Sequence, residues 1–335
     1  MSRRRLSRRA AGGGMAIAVG LAILLALAGV WSWAGPGPAA KSGDLTTVVL
    51  EKGSGVGQIG ETLKDAGVIT SAGLFAVAAR LTGAAADLKA GEYEFRSGAS
   101  MAGVLADIRA GKVVRHQVTI PEGWTSGMVL DALKAEGVLT GAVEEPPEGT
   151  ILPDTYQFER GETRSAVIRR MGDAHAKLLA GLWTARQPGL PLETADEAVI
   201  LASIVEKETA VASERPRVAA VFVNRLRLGM ALQSDPTIIY GITRGRSLGR
   251  GIRASELAAA TPYNSYRMVG LPPTPIANPG REALAAVLNP PRTNELFFVA
   301  DGTGGHAFAA TYETHQRNVA RWRAIEQRKA AGGGT

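Results

Sequence analysis

The chain has 335 residues, 45 % hydrophobic and 21 % charged, which is enough apolar surface for a folded core in one to three domains and excludes a disordered chain. Its net charge of +7 sits mostly in Arg3, Arg4, Arg5, Arg8 and Arg9, so the body is nearly neutral, with no basic, aromatic-interleaved face for nucleic acid. The absence of cysteine excludes disulfides and thiolate chemistry, and the four histidines (His116, His175, His306, His315) are too scattered to predict a metal centre; no metal or cofactor is expected.

Residues 1–14 read as an arginine-rich cytoplasmic leader. Met15–Ala34 is uncharged, apolar and long enough to span a bilayer, with Trp31 and Trp33 where interfacial anchors belong. Positive charge before it and none close after it predict a cytoplasmic N-terminus, a single pass through the inner membrane and a periplasmic body. A cleaved signal peptide is the rival reading, but its apolar core is normally shorter and GPGPAAKS is a poor cleavage site. Residues 35–43 are a Pro/Gly linker.

Residues 44–145 contain an internal repeat aligned on Gly53, Gly98 and Gly123. Six residues on stand Ile59, Val104 and Val129, and ten on stand Leu63, Ile108 and Leu133. Each copy predicts a strand, a glycine turn and a short amphipathic helix.

Pro146-Pro147 marks a boundary, and Thr163–Trp183 predicts a helix with Val167, Met171, Ala174 and Leu178 inward. A central helix starts at Thr194, where Thr194 and Glu197 have the spacing of a capping box. The run Val199–Val205 is apolar enough to be buried, and Glu206, Lys207 and Glu208 follow it. Ser213 and Pro216 open a second helix with Val218, Val221, Phe222 and Leu226 inward, and Gly229 ends it. Downstream come an irregular Gly/Arg-rich stretch, a helical turn at 255–260 and a proline-rich loop from Tyr263 to Pro279. A helix at 281–288, a strand at 297–300 and a closing helix at 312–327 complete the chain.

At about 100° per residue, Glu206 and Glu208 point to opposite sides of the central helix. Glu206 shares its side with Val199, Ala202, Ser203 and Ala210, mostly small residues that leave room for a ligand, and Glu208 shares its side with Leu201 and Ile204. A carboxylate at a helix C-terminus among apolar neighbours is disfavoured as an anion, which suits a general acid. Solvated surface glutamates are the plainer reading of the same residues.

The block IVEKETAVASERPRVAAVFVNRLRLGMALQSDPTIIYG resembles the signature of the YceG-like family of endolytic murein transglycosylases. TPYNSYRMVGLPPTPIANPG from Thr261, FFVADGTGGHAF from Phe297 and, upstream, EGTILPDTY from Glu148 (with Asp154 and Tyr156) extend the resemblance over roughly Val48–Ala320. LKAGEYEFRSGASMAGVLADIRAGK is similar to a LysM-type glycan-binding module. The implied fold is α+β: a single transmembrane helix, a LysM-like module over 44–145, a mainly helical, lysozyme-like catalytic domain over 146–328, and a flexible tail at 329–335. The resemblance implies Glu206 as the catalytic glutamate and Gln233, Asp235, Tyr263, Asn264 and Tyr266 as residues lining a glycan cleft. His306 is read as structural. Thr150, Leu152 and Gln316 depart from the family pattern, which has aromatics at the first two and asparagine at the third.

The implied reaction is cleavage of peptidoglycan strands between MurNAc and GlcNAc with formation of a 1,6-anhydro ring, limiting strand length. The implied partners are glycan strands, the inner membrane and peptidoglycan synthases of the penicillin-binding type. A non-catalytic peptidoglycan-binding scaffold and a hydrolytic muramidase remain as alternatives.

Overall fold

The structure is a computed structural model describing residues 4–332, with side chains described for 19–329. It is α+β, with helices outweighing three two-stranded sheets among the described residues. The chain divides into two units: the first holds residues up to His116 together with Phe158–Gly161, the second Gln117–Gln157 and everything from Glu162.

In the first unit, α1 (Arg4–Ala34) takes in most of the expected leader; the rest of the leader lies outside the described residues. Among the described residues no helix is long and apolar enough to cross a membrane. The first four side chains of the expected span at 15–34 lie outside those described. Next come β1 (Leu45–Leu50), α2 (Val56–Asp65), α3 (Ala72–Leu81), β2 (Gly91–Arg96) and α4 (Met101–Ala110). β1 and β2 pair antiparallel, with Val48 opposite Tyr93, over a core of Leu63, Phe75, Tyr93, Phe95 and Ile108. Helix α3 was not expected, because its buried stripe of Ala72, Phe75, Ala76 and Ala79 is mostly alanine and carries little periodic signal. Gly60 lets α2 and α3 approach: a Cβ there would lie 2.9 Å from the Ala72 carbonyl oxygen.

The repeat is visible in the backbone. Gly53, Gly98 and Gly123 all take left-handed φ, at 85°, 76° and 76°, a region that favours glycine. The aligned apolar residues behind them are all buried. The third copy belongs to the second unit, however, so the units divide at His116/Gln117 rather than at Pro146-Pro147. The cause lies in its turn: the Gly123 N–H donates to the Asn278 carbonyl at 3.0 Å, and the Asn278 N–H donates to Trp124 at 2.9 Å. Strands β3 (His116–Thr119) and β4 (Thr155–Phe158) carry the chain between the units.

The second unit continues with α5 (Ser126–Ala135), α6 (Arg164–Thr184), α7 (Ala195–Glu208), α8 (Arg215–Arg227), α9 (Asp235–Thr243), α10 (Ala254–Ala258) and α11 (Arg281–Leu288). The hairpin β5 (Phe297–Ala300) and β6 (His306–Ala309) and helix α12 (Tyr312–Gly332) close it. α12 passes the expected end at Gln327 and takes in residues 329–332 of the expected tail; the rest of that tail lies outside the described residues. On α6, Val167 and Met171 are inward as expected, but His175 is buried where Ala174 was expected. Helix α7 is the centre of the core. Its residues from Ala198 to Val205 are buried apart from Ile200, and it packs on α8 and α11. Thr194 accepts the Glu197 N–H at 3.2 Å, but the Glu197 carboxylate turns to the Glu193 N–H, so only half of the capping box forms. Ser203 on α7 accepts the Ile276 N–H at 2.9 Å, pinning the proline-rich loop to the central helix.

Candidate active site

Thr209 takes extended backbone (φ −139°, ψ 131°), so α7 stops at Glu208 and Ala210 is off the helix. Glu206 and Glu208 therefore occupy the last turn of a buried helix and project to different surroundings.

Glu206 is held by the protein on both oxygens. One accepts the Gly280 N–H at 2.8 Å, capping the N-terminus of α11. The other accepts from Arg215 at 3.2 Å, and Arg215 also reaches Glu122 at 3.0 Å. Its side chain is 4 % exposed. Burial pushes the Glu206 carboxyl above its ordinary value, with the Gly280 N–H pulling the other way.

Glu208 meets different chemistry. Its carboxylate accepts the Ser234 hydroxyl at 2.5 Å. Burial pushes this carboxyl up to about 7; the Ser234 bond restrains the rise, the charge of Asp235 adds to it, and His306 and Arg225 oppose it. A carboxyl so placed is protonated often enough near neutrality to give a proton and to take one back.

The structure gathers Gln233, Asp235 and Tyr266 at the Glu208 end of α7. Asp235 opens α9, and its carboxylate accepts the Tyr266 hydroxyl at 2.7 Å. Burial, and then that bond, push the Tyr266 hydroxyl up, so it stays a donor. Gln233 is exposed and takes φ +54°, a left-handed backbone that costs a non-glycine residue on the order of 1 kcal/mol or more. Its Oε1 accepts from Arg225 at 3.4 Å. Tyr263 stands instead beside the far end of α9, edge-on to Tyr240 at 5.1 Å, its hydroxyl paired with Thr274 at 2.8 Å. Asn264 is buried inside its loop, its amide donating to the Glu256, Leu257 and Ala259 carbonyls and its oxygen accepting the Tyr266 N–H.

Four further groups shape the site. Ser234 and Ser265 interlock: the Ser234 N–H donates to the Ser265 hydroxyl at 2.8 Å, and that hydroxyl pairs with Thr237 at 2.8 Å. Both serines lie inside motifs already singled out, so adjacency could have found them. Arg225, buried on α8, donates to Leu296 and Leu232 carbonyls at 2.7 Å each and fixes the turn that carries Gln233. Glu214 accepts both the backbone N–H and Nδ1 of His306, at 2.8 and 2.7 Å. Gly305 permits this, since a Cβ there would lie 2.6 Å from the Glu214 carboxylate. In the upstream motif, Glu148 accepts the Ser126 N–H at 2.8 Å, the Ile151 N–H donates to Asn278 at 3.0 Å, and the Tyr156 hydroxyl donates to the Leu152 carbonyl at 2.7 Å, contacts that organise loops. Among the described residues no group of three or more histidines and carboxylates is arranged to hold a metal ion.

The sequence model of the YceG-like family matches residues 48–321, across both units. The chain is similar to an endolytic murein transglycosylase of Streptococcus pneumoniae, 32 % identical over 84 % of this chain and 59 % of the relative. It thus spans about three-fifths of that relative's length. A protein of the same description from Bacillus subtilis is 26 % identical over 84 % of this chain and 86 % of its own. The crystal structure of a yceG-like protein from Listeria monocytogenes aligns with a TM-score of 0.51 at 27 % identity, covering 82 % of this chain and 99 % of that one. With the family's match extending over most of the chain and through every motif around Glu208, this protein belongs to the YceG-like family.

Proposed function

We propose that the chain is an endolytic murein transglycosylase that cuts peptidoglycan strands between MurNAc and GlcNAc, with Glu208 as the proton donor. The observation that carries this is the Glu208 carboxyl, raised to about 7 on a rigid helix end beside Gln233, Asp235 and Tyr266. The names of the streptococcal and bacillar relatives support the reaction class.

In this reading Glu208 protonates the glycosidic oxygen as the bond to the MurNAc anomeric carbon breaks. The resulting carboxylate then accepts the proton of the MurNAc 6-hydroxyl, whose oxygen attacks the same anomeric carbon. The ring closes, no water is consumed, and Glu208 ends protonated as it began. The 6-hydroxyl is tethered to its target, which supplies the effective concentration. Glu206, implied by the family resemblance, is the alternative donor. Burial raises its carboxyl too, but both its oxygens are taken up by the Gly280 N–H and Arg215, which gives it a structural role.

A second reading, a hydrolytic muramidase, has one observation in its favour: Asp235 puts a second carboxylate within electrostatic reach of Glu208. Digestion of sacculi in ¹⁸O-water with mass analysis separates the two. The transglycosylase yields unlabelled 1,6-anhydroMurNAc ends. One ¹⁸O at each new reducing end would replace it by the muramidase, and intact strands would leave a binding scaffold.

The proposal extends to location. Residues 15–34 anchor the chain in the inner membrane, N-terminus in the cytoplasm, with the residues that follow them on the periplasmic side beside the synthases that extend the strands. Support comes from the apolar side chains that α1 leaves exposed, among them Leu21, Leu24, Leu25, Leu27 and Trp31. The strand–helix–helix–strand order of β1, α2, α3 and β2 supports a LysM-like, glycan-binding role for the first unit.

A further inference from the structure

Among the described residues, two that are not glycine hold left-handed backbone: Gln233 and Arg244, both at φ +54°. They bracket α9. Gln233 lies two residues before its first residue, Asp235, and Arg244 follows its last, Thr243. Strained backbone of this kind persists where the surroundings impose it, and it clusters at functional sites. One end of α9 lies at Glu208. At about 1.5 Å rise per residue the other end is about 14 Å along the helix.

That other end is built around Arg244. Its N–H closes α9 on the Tyr240 carbonyl at 2.8 Å, a position glycine fills without strain. Its guanidinium stands 5.6 Å from the Tyr240 ring and 5.5 Å from the Tyr263 ring, and donates to the Tyr263 hydroxyl at 3.4 Å. The rings are themselves fixed, Tyr263 by Thr274 at 2.8 Å and Tyr240 by Glu148 at 3.3 Å. Neighbouring Arg246 and Arg250 are paired with Asp131 and Glu256. Arg244 is exposed, and no carboxylate pairs with it among the described residues. The result is an arginine oriented by two rings, with donors left for a ligand. An arginine fork matches a carboxylate, and the rings reduce the freedom lost on binding.

We propose that Arg244 binds a carboxylate of the peptide carried on the glycan strand, making the far end of α9 a peptide-recognition subsite for the reaction at the near end. This rests on the transglycosylase reading for its substrate. A strand stripped of peptide also offers a carboxylate, on the lactyl ether of each MurNAc. That group lies close to the sugar ring, whereas a peptide reaches outward, as a contact displaced along α9 requires.

The test measures binding of peptide-bearing and peptide-stripped strands in a Glu208→Gln background, so that nothing is consumed. Arg244→Gly should weaken binding of peptide-bearing strands roughly tenfold, the scale of one charge-assisted contact, and leave stripped strands within about twofold. Its melting temperature should equal or exceed the parent's, because glycine relieves the left-handed backbone, so a loss of binding is not a loss of fold. Arg244→Lys, with the charge but not the fork, should fall between. Equal weakening on both strands, or none on either, overturns the subsite. Failure of the wild-type chain to release anhydro ends sinks the transglycosylase reading instead, and the binding comparison still reads Arg244.

Discussion

Replacing Glu208 by glutamine should abolish turnover and stabilise the fold, two effects with one cause. Glutamine keeps the size and can still accept the Ser234 hydroxyl, but it carries no proton to give. Loss of a general acid costs about 10²–10⁴ in rate. Burial lets the folded protein keep the Glu208 proton up to about pH 7, while the unfolded chain releases it near 4.5. Stability therefore falls as pH rises between those values and levels off above them. A displacement of that size corresponds to about 3 kcal/mol. Glu208→Gln should thus gain roughly that much over wild type at pH 8 and nothing at pH 4, read from urea melts at both. Glu206→Gln should differ through its partners, since burial raises this carboxyl too. It leaves Arg215 with Glu122 alone and weakens the cap on α11, costing about 1–3 kcal/mol while keeping most of the rate. Release of anhydro muropeptides from sacculi measures the rates. A dead Glu206→Gln beside an active Glu208→Gln would return the proton to Glu206, and a Glu208→Gln with no pH-dependent gain would refute the burial argument.

Asn264→Ala should cost about 2–4 kcal/mol in urea melts while KM of the surviving folded enzyme stays within about twofold, because three loop carbonyls lose their donor. A large KM effect at full stability would instead make Asn264 a substrate contact. The full chain should need detergent for extraction from membranes while residues 44–335 are recovered soluble; a mature N-terminus near Lys41 would refute the anchor in favour of a signal peptide.

The local features were legible in the sequence. Glycine at 53, 98 and 123 announces a left-handed turn because other residues pay to adopt one, and the apolar spacing behind each fixes the buried face of its helix. The opposite directions of Glu206 and Glu208 follow from helix geometry alone. Which of the two faces the polar site does not, because it depends on distant partners: Gly280, 74 positions from Glu206, and Ser234, 26 positions from Glu208. The division between the units was hidden for the same reason, since Asn278 draws the third glycine turn into the second unit across a span that no local pattern reports.

The return of Phe158–Gly161 to the first unit sets an order of events during synthesis. Glu92 is buried in that unit, 7 % exposed, with His116 at 2.6 Å and Arg160 at 3.2 Å. The bond to Arg160 leads in holding its carboxyl below the ordinary value. A nascent chain that has emerged only as far as 145 has every helix and strand of the first unit but not Arg160, and its buried carboxylate is half-paired. The unit is completed only after the stretch 117–157 has been made and looped out, so closure is delayed by translation and carries the entropy of that loop. The same constraint governs dissection of the protein. A fragment cut at Pro146-Pro147 ends before Arg160, whereas one that replaces 117–157 by a short linker and runs on through Gly161 keeps Glu92 paired on both sides.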